Sequence, residues 1–343
     1  MTTALDPKRM KWKLFTLSLF CTISLTAQDL HFSQFFNHAI YTSPGLVGVF
    51  DGDYRACGIY RSQWQSVPVD YRTFSAAFDM RLPVKILKEG YLSVGGILSA
   101  DKAGDGEMQQ IRLAGLGSYT YPIGKQVFIT AGVSLAINNR SFDFNLLSFD
   151  EQFDGELYNP NLGNGEPNQN STNTEMDLGA GINLRYQLPN TRTAVDVGLG
   201  SQQLSRPNAS FFEDDNVRRM MRFNPYLRAN IQITPVVDVE IVGQAQFQGP
   251  YRSYLSGGMV RYHLNTKQSK ETSVALGTLT RFGDAVIPYL EIRYTNWKGA
   301  FTYDVNTSEF SIATNRRGGP EISLCYILKR PSPPPVFKAC PIF

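Results

Sequence analysis

The chain has 343 residues, with 33 Lys and Arg against 30 Asp and Glu, and its net charge of +3 is too small to imply a nucleic-acid partner. Mean hydropathy is −0.22, and past the first turns of the chain no run approaches the roughly 18 apolar residues of a spanning helix. Helical spans are thereby excluded, whereas a barrel, whose strands hide half their residues in a polar lumen, is not. The 17 Tyr, 22 Phe and 29 Gly suit aromatic girdles and tightly curved strands better than a compact enzyme core.

The chain opens with Lys8, Arg9, Lys11 and Lys13 ahead of an apolar run at residues 14–25, with Thr26-Ala27 before Gln28. This is the pattern of a secretory signal peptide over residues 1–27, and the bulky Phe20 before Cys21 argues against lipoprotein cleavage there. Residues 28–52, QDLHFSQFFNHAIYTSPGLVGVFDG, must bury Phe32, Phe35, Phe36 and Tyr41 somewhere. The available places are the lumen, the periplasmic mouth or another protein, so the segment is an N-terminal plug or a periplasmic segment.

From there the pattern changes to a period of two. Residues 222–233, RFNPYLRANIQI, alternate an apolar face with a polar one, and residues 236–248 and 175–187 repeat the pattern. These runs reach about ten residues or more, where a soluble sandwich strand has about five or six. Period and length together predict an all-β fold, a transmembrane antiparallel β-barrel over residues 53–328.

Alternation and turn signals give about fourteen strands. They begin near Asp53, Tyr71, Tyr91, Glu107, Gln126, Glu175, Arg192, Arg222, Val236, Tyr251, Thr272, Val286, Lys298 and Gly319. An even count puts both barrel ends on the periplasmic side. If the first strand runs outward, the long links 143–174, 205–221 and 307–318 all face the cell exterior, and the short ones at 122–125, 188–191 and 234–235 the periplasm. The turn at 265–271 is long for the periplasmic side, and residues 81–90 have room for a helical turn. The longest link carries NPNLGNGEPNQNSTN, a mobile surface loop read as solvated chain, with a partner-binding loop or lid as the alternative. Residues 329–343, KRPSPPPVFKACPIF, are expected to project as an extended Pro-rich periplasmic tail.

Among polar side chains, alternation aims Arg55, Arg61, Glu291, Arg293 and Glu321 inward, with Asp238, Glu240, Arg222 and Arg228. Mixed signs point to salt-bridged bracing of a partly filled lumen rather than an ion filter. Cys57 on the first strand and Cys325 on the last become neighbours when the barrel closes; either a disulfide or a free or register-offset pair fits the sequence. Of the three histidines, His31 and His38 are too loosely spaced for a metal site, and His263 lacks an evident nucleophile partner. Neither catalysis, a metal nor a cofactor is expected.

At this point the chain resembles the PorP/SprF family, outer-membrane proteins of the type IX secretion system of Bacteroidetes. The resemblance rests on residues 28–35, QDLHFSQF, and 41–48, YTSPGLVG, then Tyr60-Arg61-Ser62-Gln63-Trp64, Phe74-Ser75-Ala76-Ala77-Phe78-Asp79, Tyr303-Asp304-Val305-Asn306, residues 318–324 and the closing Cys340-Pro341-Ile342-Phe343. Ser43-Pro44-Gly45 stands where the family has Asn-Pro-Ala, and Ser62 where Asn is usual. The resemblance implies a non-enzymatic barrel of the cell outer membrane that serves secretion and gliding. Such a barrel binds cargo or adhesins bearing a C-terminal secretion domain and helps export or anchor them at the surface. Its expected partners are outer-membrane lipid, that cargo, and periplasmic secretion-ring or peptidoglycan-binding proteins. Contact with partners is expected at the two ends, through Phe32, Phe35, Phe36, Tyr41, Pro44, Pro333, Pro334, Pro335 and Cys340. The alternative is a passive porin for small solutes.

Overall fold

The period-two runs fold as fourteen antiparallel strands in one closed barrel. The computed structural model describes residues 30–329 apart from 64–70, 84–88, 105–106, 144–145, 164, 166–170, 212–213, 267–269 and 309–310. The strands are β1 (Tyr54–Gln63), β2 (Tyr71–Arg81), β3 (Tyr91–Ala103), β4 (Met108–Pro122), β5 (Val127–Ser141), β6 (Thr172–Gln187), β7 (Ala194–Gln202), β8 (Arg222–Gln232), β9 (Val237–Gln248), β10 (Tyr251–Asn265), β11 (Thr272–Arg281), β12 (Ala285–Tyr294), β13 (Trp297–Asn306) and β14 (Arg317–Leu328). Each pairs with its sequence neighbours, and β1 closes the ring on β14 from Tyr54↔Leu328 to Arg61↔Glu321.

The predicted starts at Tyr71, Tyr91, Arg222, Tyr251 and Thr272 coincide with observed ones. The largest difference is β6, which begins at Thr172 rather than near Glu175, because its ladder with β5 continues to Ser141↔Thr172. There the wall rises above the bilayer, and no lipid requires its outward side chains to be apolar. The signal-peptide segment 1–27, most of the possible helical turn near 84–88 and the tail with Pro333, Pro334, Pro335 and Cys340 lie outside the described residues.

The outer surface reads as a bilayer footprint. Leu98, Leu113, Val133, Leu135, Ile182, Leu276 and Leu324 point outward and are exposed, as a lipid-facing band must be. Below them Tyr121, Tyr186, Tyr262, Tyr294 and Trp297 stand at the ends of their strands, and above them lie Tyr60, Phe74, Phe223 and Tyr254. These two aromatic rows sit where amphipathic rings meet lipid headgroups. The three longest connections, 142–171, 203–221 and 307–316, all leave the same end, so that end faces outward.

The lumen is occupied by the segment that precedes β1. Residues 30–52 run down through the lumen, entering a short helix α1 (Ala39–Thr42) and a 3-10 turn at Pro44–Leu46. The Asp53 N–H then donates to the Leu328 carbonyl at 2.8 Å, which places both barrel ends at the periplasmic rim. A second short helix, α2 (Ser311–Thr314), lies in the link before β14.

Candidate functional site

The site is the interface between this plug and the wall. Phe32, Phe35, Phe36, Ile40, Tyr41, Leu46, Val47, Val49 and Phe50 are all buried, each worth roughly 1.5–3 kcal/mol when fully removed from water. Eight of them split between two apolar clusters, while the Phe50 ring lies under the Arg55 guanidinium. Phe35, Phe36, Leu46 and Val49 meet Met259, Leu279 and Ile287 of β10, β11 and β12. Phe32, Ile40, Tyr41 and Val47 meet Ile59, Ile97 and Leu116 of β1, β3 and β4. Of the places open to this segment the lumen is the one it takes: Phe32, Phe35, Phe36 and Tyr41 pack against the barrel wall, and Pro44 is buried with them. In a chain whose strands carry apolar residues on the inner face as well, the lumen is the nearest place to hide them.

Polar clamps fix the plug at three heights. At the extracellular end the Glu321 carboxylate accepts the backbone N–H of Ser33 (2.9 Å) and of Gln34 (2.7 Å). Asp304 accepts the Ser33 hydroxyl at 3.0 Å and pairs with Arg61 (2.7 Å) and Arg281 (3.0 Å). Arg61 donates to the His31 carbonyl, and Arg222 to that of Leu30 at 2.9 Å. Leu30, the first described residue, thus lies near the outer mouth although β1 starts at the periplasmic rim. Midway, His38 Nε2 lies 2.8 Å from Ser75 Oγ, and Lys298 donates to Asn37 Oδ1 at 2.7 Å. Near the periplasm, Asp79 accepts the Gly48 N–H at 2.8 Å while paired with Arg55 at 2.8 Å.

The tightest seat is backbone on backbone. Gly132, Gly181 and Gly200 on β5, β6 and β7 leave a notch that receives the turn Thr42-Ser43-Pro44-Gly45. A Cβ at Gly132 would stand 2.2 Å from the Pro44 carbonyl oxygen, one at Gly181 2.2 Å from Ser43 Oγ, and one at Gly200 2.2 Å from the Thr42 carbonyl oxygen. Only residues without a Cβ let the turn come this close. This cradle was missed by sequence reasoning: the period-two phase of each strand could have placed the three glycines on the inner face, but not against the turn.

The predicted lumen charges are brought together in separate groups rather than in one ring. Arg55 meets Asp79, and Arg61 meets Asp304 and Glu321. Glu291 holds Arg261 at 2.8 Å and Arg293 at 2.7 Å, with Glu240 as a second acceptor for both arginines. Arg185 and Arg228 share Asp196, at 3.1 and 2.7 Å. His263 meets Asp238 at 2.9 Å, and Arg192 meets the same carboxylate at 2.8 Å. Buried pairs of this kind contribute little net stability, but removal of one member strands the other.

The extracellular mouth has its own cover. The link 203–221 folds inward, with Arg140 donating to the Ala209 carbonyl (2.8 Å) and Arg219 pairing with Glu175 (2.8 Å). Phe211 stands edge-on to Phe142, ring centres 4.8 Å apart.

At the closing seam Cys57 and Cys325 face each other in register and are joined as a disulfide. The bridge would span 268 positions of sequence, for which the chain-entropy model gives about 5.6 kcal/mol. Peptide mapping without reductant is expected to recover the two cysteines linked; recovery of both only as alkylated thiols would remove the bridge from the fold.

A family model described as type IX secretion system membrane protein PorP/SprF matches residues 24–326. The chain belongs to this family. PorP/SprF membership and the barrel place the protein in the outer membrane. No curated protein matches the chain in sequence. Among solved structures it is similar in fold to the Ralstonia pickettii toluene transporter TbuX, with TM-score 0.52 and 11% identity over 84% of this chain and 92% of that one. The CymD monoaromatic hydrocarbon channel gives TM-score 0.49 and 9% identity over 86% and 93%. A Pseudomonas aeruginosa FadL homologue gives 0.47 and 10% over 84% and 94%. At such identities the likeness is one of fold.

Proposed function

We propose that this PorP/SprF barrel is a non-enzymatic component of type IX secretion and gliding that binds cargo bearing a C-terminal secretion domain and helps export it or hold it at the surface. The observation that supports this reading most is the occupied lumen: the aromatic and aliphatic side chains from Phe32 to Phe50 are packed into it, so the surfaces left for work are the loops and rims. The extracellular end suits cargo. The periplasmic rim, where β14 ends at Leu328, suits secretion-ring or peptidoglycan-binding proteins. The rival reading is a passive porin for small solutes, which requires the plug to leave.

The test is affinity capture of the tagged protein from native outer membranes in mild detergent, with mass spectrometry. Recovery of a large surface protein with a C-terminal secretion domain, or of periplasmic ring proteins, is expected. Recovery of the barrel alone from cells expressing candidate cargo, together with stable conductance of the unmodified protein in planar bilayers, would favour the porin.

A further inference from the structure

The longest extracellular link, 142–171, is organised against the usual rule that polar groups face water and apolar ones hide. Its polar hub is inside. Gln152 is buried, accepting the Phe149 N–H at 3.1 Å through Oε1 and the Asn159 N–H at 2.8 Å through its backbone carbonyl. Phe153 and Tyr158 form a β-bridge across a tight tip, and Asp154 Oδ1 accepts the N–H of Glu156 (3.0 Å) and Leu157 (2.9 Å). These bonds hold the Asp154 carboxyl below the usual carboxylate range.

What this framework displays is apolar. Phe153 is 57% exposed, Leu157 72% and Tyr158 50%, with Leu146 and Leu162 also exposed. An exposed apolar cluster held by a pre-ordered turn marks an interaction surface more than a solvated loop. The surrounding charge selects the occupant. Residues 146–163 carry Asp150, Glu151, Asp154 and Glu156 and no Lys or Arg. Four carboxylates around the apolar tip repel an anionic lipid surface and a second copy of the same tip, and attract a cationic partner.

We propose that the tip around Leu157 is a preformed docking surface for a protein partner that presents apolar side chains flanked by Lys or Arg. This deepens the secretion reading by giving the outward face its binding element and the chemistry of what it holds.

The experiment places a photoreactive amino acid at Leu157 of the full-length barrel in its own outer membrane, with irradiation and mass-spectrometric mapping of the adduct. A protein adduct at a segment carrying Lys or Arg beside apolar residues is expected. Its yield should fall at least tenfold in the triple variant Asp150→Lys, Glu151→Lys, Glu156→Lys, whose barrel folding is verified by heat-modifiable migration. Adducts with lipid alone, with a second copy of this chain, or with a protein at unchanged yield in the folded triple variant would overturn the proposal. Cargo captured by affinity with no protein adduct at Leu157 would sink this surface and leave secretion standing. A basic partner crosslinked here that lacks a secretion domain would do the reverse.

Discussion

Replacing Gly132 and Gly181 together by Val is expected to leave a folded barrel with its plug displaced. The two new Cβ atoms would fall 2.2 Å from the Pro44 carbonyl oxygen and from Ser43 Oγ, with the Gly45 backbone nitrogen 2.8 Å from the second. An overpacked site usually costs about 1–3 kcal/mol because side chains can shift. Here most of what is met is backbone of a turn fixed above and below by clamps, so each substitution should reach the upper end of that range. The barrel ladder itself is unaffected, since β5 and β6 keep their register from Val127↔Tyr186 to Ser141↔Thr172. Two measurements read the outcome. Protease should begin to cut within residues 30–52, and planar bilayers should show conductance that the unmodified protein lacks. Gly117→Val is the control, because a Cβ there meets nothing within 4 Å. A double variant that stayed closed and protected would show that the notch is incidental and that the aromatic contacts alone hold the plug.

The second large effect is expected at Glu321. Its carboxylate takes two backbone N–H groups of the plug, and its neighbour Arg61 lies 3.5 Å away. Glu321→Ala removes the acceptors of Ser33 and Gln34 and leaves part of the Arg61 charge to Asp304 alone. Breaking a buried pair from one side costs about 3–5 kcal/mol. The loss should be local, with amide exchange at Ser33 and Gln34 faster by roughly a hundredfold or more and the protection of Val47 and Val49 little changed. Glu321→Gln, which keeps one acceptor oxygen, should fall between. Equal loss of protection along the whole plug would show instead that it docks as a single cooperative unit, and unchanged exchange at Ser33 would remove Glu321 as its anchor.

Much of the fold was legible because a barrel wall is a local code. A side chain in β8 faces lipid or lumen according to its parity, so Phe223 and Leu227 outward and Arg222 and Asn224 inward follow from order alone. Loop lengths then gave the orientation, since the three longest links all lie on one side. The seam was legible for the same reason: with an even strand count, β1 must meet β14, which set Cys57 near Cys325. Pairing Arg61 with Asp304 rather than only with its register partner Glu321 was not legible, because it depends on how a long side chain crosses to the next strand.

By itself the sequence determined the period, the strand number, the direction of the barrel and the inward set of charges, all properties that depend on neighbours in the chain. Tertiary structure decided the rest. Phe32, Phe35, Phe36 and Tyr41 advertise a need for burial without saying where. Only closure of fourteen strands creates the interior that meets that need, and only the curvature of the closed wall brings Gly132, Gly181 and Gly200 against the same turn. The longest loop shows the converse. Its run of Asn, Gly and Pro reads as solvated chain, yet the described part before it folds around the buried Gln152 and turns Leu157 outward. The hydrogen bonds that decide this, from Phe149 and Asn159 to Gln152, join polar and backbone groups and leave no hydrophobic period in the sequence.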